Sequence, residues 1–228
     1  MENKIFNIKK VQKRSAEVQA ADLLREAIIN GNIPLGSRLT ELHSAEQLGV
    51  ARSTIRTAFH QLVQEGLIIQ VPYTGWTVMT LSAQDAWELY TLRSSLEALA
   101  ARLVAENIRN GKSTWQIRSQ LTDAFNHLKE ACTSLTKKDI AEADFSLHKT
   151  IVFLSEHSRL IDQYARIEHQ ILIYIKSSDS LITEPLQIIE QHEPQVIALL
   201  EGDVEKAVSL AVEHNESEGK ILLNHLNN

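Results

Sequence analysis

The chain has 228 residues, 43% hydrophobic and 23% charged, enough to build two compact domains with buried cores. No stretch approaches the roughly 18 to 20 consecutive apolar residues of a membrane span, and the start, MENKIFNIKKVQKR, lacks the apolar centre of a secretory leader; the expected location is the cytoplasm. A net charge of -6 argues against a uniformly basic nucleic-acid binder, but the charge is divided: residues 1–80 carry 9 Lys and Arg against 7 Asp and Glu, residues 81–228 carry 14 against 22.

The first 14 residues, with Lys4, Lys9, Lys10, Lys13 and Arg14 against Glu2, form either an arm that touches phosphates or a solvated tail. Val18, Ala21, Leu24, Ile28 and Ile29 then recur at helical spacing up to Asn30-Gly31, a common helix terminator. Ile33 to Leu39, with Pro34 and Gly36, reads as a loop.

Thr40 to Gly66, TELHSAEQLGVARSTIRTAFHQLVQEG, predicts a helix-turn-helix. Ala45 and Leu48 mark one face of a short helix, and Gly49 supplies the tight turn. In the second helix Ile55, Phe59 and Leu62 point inward, leaving Arg52, Ser53, Thr54 and Arg56 outward at its first turns. Such an edge suits a major groove, because arginine can contact guanine O6 and N7 together. LIIQV (67–71) and WTVMT (76–80), separated by Pro72, Tyr73, Thr74 and Gly75, predict a β-hairpin wing.

Everything after Ser82 reads as helix. Ser82-x-x-Asp85 is a capping box before a long helix holding Leu89, Leu92, Leu96, Leu99 and Leu103, which ends at Asn110-Gly111. Further helices are predicted over 113–135, 139–156 and 158–176, from Thr183 with Pro185 to about Gly202, and from Asp203 to about Leu226. The predicted fold is mainly α: an N-terminal winged helix-turn-helix over residues 1–80, with its small hairpin wing, and an all-α antiparallel six-helix bundle over residues 81–228.

Within the bundle, Asp144 and His148 lie four residues apart on a stripe with Ala141, Ile151 and Val152. His192 shares a stripe with Ile189, Val196 and Leu199, and His214 one with Ala207, Leu210 and Ile221. Three helices thus aim metal-capable groups at one interior, where unpaired polar groups are costly. Arg93 shares the inward stripe of Leu89, Leu96 and Ala100, either to meet an anion or to pair with Glu97 or another carboxylate. His127, His157 and His225 follow no such pattern, His169 is a pocket-lining candidate, and Cys132 is assigned no role.

LGVARSTIRTAF, QLVQEGLI and the wing PYTGWTV resemble the GntR family of bacterial transcription regulators, with departures at Ser44, Ala51, Thr57 and Thr74. ELYTLRSSLEALAARL, ADFSLHKTI and QHEPQVIALLEGDVEKAVSLAVEHNE resemble the FCD ligand-sensing domain of its FadR subgroup, in the short six-helix VanR-like variant; SEHSRL (155–160) departs from that pattern. The resemblance implies that Arg52 and Arg56 read bases of double-stranded operator DNA, with Ser53 and Thr54 on the same outward edge, and that the wing near Thr74 and Gly75 approaches the minor groove. It implies a divalent ion, Zn, Ni, Mn or Fe, held by Asp144, His148, His192 and His214, with Arg93 binding a small organic acid effector. The function implied is that of a homodimeric, metabolite-responsive repressor or activator on a pseudo-palindromic operator. A metal sensor with no organic effector is the alternative; a helical metalloenzyme lacks any residue marked as a general base.

Overall fold

The structure, a computed structural model, describes residues 14–71, 75–134, 136–179, 181 and 184–227. The chain divides into two compact units, Met1–Val78 and Met79–Asn228. Among the described residues no helix is long and apolar enough to cross a membrane. The basic tail up to Lys13, the wing tip Pro72 to Thr74, and Thr183 lie outside the described residues.

The first unit is a three-helix core with a small sheet. Helix α1 (Ala16–Ile29) is capped by the Ser15 hydroxyl, which accepts from the Val18 amide, and buries Ala20, Ala21, Leu24 and Ile28. Helix α2 (Glu41–Leu48) is capped by Thr40 and ends at Gly49, whose φ of 65° is the left-handed conformation that glycine adopts without steric cost. Helix α3 (Arg52–Gln64) buries Ile55, Ala58, Phe59 and Leu62. Each such large apolar side chain contributes roughly 1.5 to 3 kcal/mol on burial. The predicted hairpin consists of β2 (Ile68–Val71) and β3 (Gly75–Val78), paired Ile68 to Val78 through Val71 to Gly75. A third strand, β1 (Arg38–Leu39), pairs antiparallel with β3 on its other edge, so the segment expected as loop contributes to the sheet. Trp76 turns inward against Phe59 and His60, fastening the sheet to α3. Across the helices, Arg25 donates to both carboxylate oxygens of Glu65, at 2.6 and 2.7 Å, which locks α1 to the end of α3.

The second unit contains the six predicted helices: α4 (Ala83–Arg109), α5 (Thr114–Ser134), α6 (Lys137–Leu154), α7 (Ser158–Asp179), α8 (Leu186–Glu201) and α9 (Val204–Leu226). Ser82 and Asp203 cap α4 and α9 as expected, and Thr136 with Asp139 forms a capping box that starts α6 two residues before its predicted start. The interior of α4 differs from expectation. Leu92 is exposed and Leu96, Leu99 and Leu103 are half-buried, while Leu89, Tyr90, Arg93, Glu97, Ala100, Ala101, Val104 and Ile108 face inward. The cause is close packing against α9: a Cβ on Gly219 would stand 3.1 Å from Tyr90 Cβ, and Ala100, Ala101 and Ala105 leave room where leucine would not. On α9 the inward stripe is Ala207, Ala211, His214, Glu218 and Leu222, and Ile221 lies outside it.

Candidate metal centre and nucleic-acid interface

Helices α6, α8 and α9 bring His148, His192 and His214 together with all three rings buried. Each offers one ring nitrogen to a group whose members lie within 4.8 Å of one another, an arrangement that could hold a metal ion. Asp144, one turn before His148 on α6, lies against two of these rings: its Oδ1 is 3.1 Å from His148 Nε2 and 2.9 Å from His192 Nε2. The two Nε2 atoms are 3.0 Å apart.

The far sides of two rings are occupied. His192 Nδ1 donates to the backbone carbonyl of Ile188 at 2.7 Å, and His148 Nδ1 lies 2.9 Å from Glu97 Oε2. In the neutral tautomer with its proton on Nδ1, each ring presents its Nε2 lone pair inward, toward Asp144 Oδ1. Three acceptors converging in a dry interior repel unless a cation lies among them. Their spacing also suits one, since neighbouring ligands about 2.1 Å from a common ion and at right angles to each other are about 3 Å apart. The residues present therefore fit a divalent ion, and the all-nitrogen-and-oxygen donor set discriminates little among Zn, Ni, Mn and Fe.

Burial opposes the charged form of every group here, and neighbouring charges decide the outcome. Glu97 is held well below the usual carboxylate range by Arg93 and His148, and Asp144 by His192 and His148. Glu97 pushes His148 up, against burial. Burial and the adjacent imidazoles hold His214 well below the usual histidine range, so it stays a neutral ligand.

Arg93 is 1% exposed and its Nε donates to Glu97 Oε1 at 2.8 Å, the ion pair expected as one alternative. Its Nη2, however, is buried without a hydrogen bond. Glu97 is the hub that sequence reasoning missed: besides Arg93 and His148 it accepts from the Tyr164 hydroxyl at 2.8 Å and from Asn215 Nδ2 at 2.9 Å. Also missed were Asp179 at the end of α7 and Glu218 on α9, both buried. Burial, together with the Asp144 and Glu218 charges, pushes the Asp179 carboxyl up to about 9, and burial beside Asp144 raises Glu218. A groove of about 390 Å³ opens between α4 and α9; it is lined in part by Tyr90, Asn215 and Gly219, and none of the three histidines lines it. His157 serves instead as the cap of α7, accepting from the Leu160 amide at 3.1 Å. Cys132 is buried, which pushes its thiol up to about 11 and makes it a poor nucleophile.

In the first unit the recognition edge is smaller than expected. Arg52 and Arg56 have side chains 62% and 57% exposed, and Ser53 is exposed, but Thr54 is buried. Thr54 falls one turn before Ala58 and two before Leu62, on the inward stripe, where its hydroxyl reaches no base. Arg56 is also engaged: its Nε and Nη2 each donate to Glu41 at 2.8 Å, while Arg52 is 3.8 Å from the same carboxylate. Ala51 caps α3 without a side-chain oxygen, so no side chain competes for the first amides of that helix. Gly75, with φ of 101°, opens the described part of the wing at its exposed end.

Comparison with known proteins agrees with both halves. Residues 16–78 match the model of the gntR family of bacterial regulatory proteins, and residues 88–217 match that of the FCD domain. The chain is 28% identical over 207 residues to a probable D-xylose utilization operon transcriptional repressor of Paenarthrobacter nicotinovorans, covering 90% of this chain and 88% of that one. It is 30% identical over 162 residues to the gluconate operon transcriptional repressor of Bacillus licheniformis, covering 70% and 63% respectively. The solved structure of Escherichia coli McbR/YncC superposes with a TM-score of 0.72 at 21% identity, over 93% of this chain and 99% of that one, which shows the shared fold.

Proposed function

The chain belongs to the GntR family of DNA-binding transcription regulators and carries its FCD domain; from that premise we propose that it represses operon transcription under control of a small carboxylate held at a buried divalent ion. The observation that carries the proposal is the convergence of His148, His192 and His214 on one another, with Asp144 Oδ1 against the Nε2 atoms of the first two. An ion bound there supplies fixed positive charge and free coordination positions for a carboxylate oxygen. Arg93 turns its unpaired Nη2 to the same anion while its Nε stays on Glu97, so one guanidinium both orients the hub and binds the effector.

Residues 1–80 serve as the reading domain. Arg52 and Ser53 approach base edges, the open amides at the start of α3 take a phosphate, and the wing around Gly75, with Thr74 beyond the described residues, follows the minor groove. Residues 81–228 bind effector and metal and join two copies. The half-exposed stripe Leu92, Leu96, Leu99 and Leu103 on α4, spaced four, three and four, suits a seam between two such helices. Effector and DNA are then linked only through the difference in effector affinity between the two arrangements of the dimer.

The test is operator binding by the metal-loaded full chain, measured by fluorescence anisotropy on duplexes spanning the region upstream of its own gene, with and without a panel of organic acids. A change in affinity with at least one acid, lost in a His192→Ala variant, supports the reading; indifference to every acid contradicts it. A second reading, a sensor of the metal itself, is favoured by the Arg93–Glu97 pair, and it requires metal alone to change DNA affinity.

A further inference from the structure

Close to the metal-capable cluster the interior holds more carboxyl groups than any anionic ligand explains. Asp179 Oδ2 and Glu218 Oε1 are each buried without a hydrogen-bond partner among the described residues, as is Asn215 Oδ1. All three are acceptors once the two carboxyls are ionised. Arg93 Nη2 and the Tyr90 hydroxyl are buried in the same neighbourhood without a hydrogen bond, and the Arg93 guanidinium stacks over the Tyr90 ring at 5.5 Å. Asp179 and Glu218 are near enough to act electrostatically on each other, on Asp144 and on Arg93, so they belong to one neighbourhood with the proposed carboxylate site. Tyr90 and Asn215 connect it to the groove between α4 and α9.

A plain carboxylate satisfies the metal side and Arg93 but brings no donor to Asp179 Oδ2, Glu218 Oε1 or Asn215 Oδ1. Unmatched buried acceptors of this kind typically cost more than a hydrogen bond returns. A hydroxyl brings one donor and no charge. An ammonium brings three N–H donors and the positive charge that two neighbouring carboxyls in a low-dielectric interior otherwise lack. We infer that the effector carries a protonated amine beside its carboxylate, with Asp179 and Glu218 taking the ammonium, so that the ligand class is a small amino acid or amino-substituted acid. The inference rests on the carboxylate reading above and extends it to the opposite end of the ligand.

The test compares matched acids on the metal-loaded full chain by thermal stabilisation and calorimetric titration. L-alanine, L-lactate and propionate differ only at the α-carbon; 4-aminobutyrate, 4-hydroxybutyrate and butyrate differ only at the far end. In at least one series the amine is expected to bind about tenfold tighter than its hydroxyl counterpart, the effect of one charge-assisted hydrogen bond. Asp179→Asn and Glu218→Gln should shrink that preference, read within each variant as the ratio of the amine's affinity to that of the unsubstituted acid. Equal or tighter binding of the hydroxyl or unsubstituted acid in both series overturns this inference alone, as does an amine preference that survives both substitutions. Binding of no acid in either series overturns the carboxylate reading, and this inference with it.

Discussion

His148 Nε2 and His192 Nε2 are 3.0 Å apart in the interior of the bundle, a spacing at which one ring donates to the other unless both turn lone pairs to a common cation. His192 spends its Nδ1 proton on the Ile188 carbonyl, and His148 turns Nδ1 to Glu97. With both ring protons on Nδ1 the pair is two lone pairs beside Asp144, an arrangement that a neutral core avoids and a coordination site requires.

Glu97 orients this site without entering it, so Glu97→Gln should preserve the fold and weaken the metal. The loss of charge leaves Arg93 uncompensated in the interior, for an expected loss of about 3 to 5 kcal/mol in stability by urea denaturation of metal-free protein. Metal affinity, by competition with a chromophoric chelator, should fall roughly 10- to 100-fold. Unchanged metal affinity would reduce Glu97 to a structural partner of Arg93.

Asp179 gives the metal-free protein a definite pH dependence. Its carboxyl is raised to about 9 in the folded chain, so between about pH 4 and pH 9 the folded state binds a proton that the unfolded state has released. Stability accordingly falls as pH rises through that window, by at most about 1.4 kcal/mol per pH unit from this group. Asp179→Asn should flatten the fall in melting temperature between pH 5 and pH 8, with the largest gain over wild type at the alkaline end. Parallel curves for the two proteins would refute the assignment.

On the recognition helix the two arginines should differ. Arg52 is held only by a long contact to Glu41, at 3.8 Å, and Arg52→Ala should weaken operator binding by about 1 to 3 kcal/mol with loss of discrimination at one position. Arg56 must first leave Glu41, so Arg56→Ala should cost less, and Glu41→Ala should raise affinity for any duplex by releasing Arg56. Anisotropy titrations of the three variants at fixed salt decide this. Full operator affinity in Arg52→Ala would remove that residue from the reading edge.

Much of this was legible in the sequence, because the signals are local. Ser82, Asp203 and the Asn-Gly pairs mark helix ends through their own caps and turns. The spacing of Asp144 and His148 places both on one helical face before any packing is known. What failed depends on neighbours distant in the chain. The leucines of α4 look like a core stripe until α9, with Gly219 against Tyr90, selects the face rich in alanine. Thr54 sits on the boundary between faces, where a shift of one position turns it inward. Strand β1 has two residues and exists only because β3 offers an edge. Asp179 and Glu218 look like solvated helix carboxylates, and no periodicity separates them from those.

The most direct test of the central claim is metal content. Purified chain, loaded with excess zinc, nickel, manganese or ferrous ion and then desalted, should retain a stoichiometric divalent ion by elemental analysis, and His192→Ala and His214→Ala should retain none while keeping wild-type helicity. Wild-type protein that releases every ion on desalting, or histidine variants that hold metal as fully as wild type, would contradict the account.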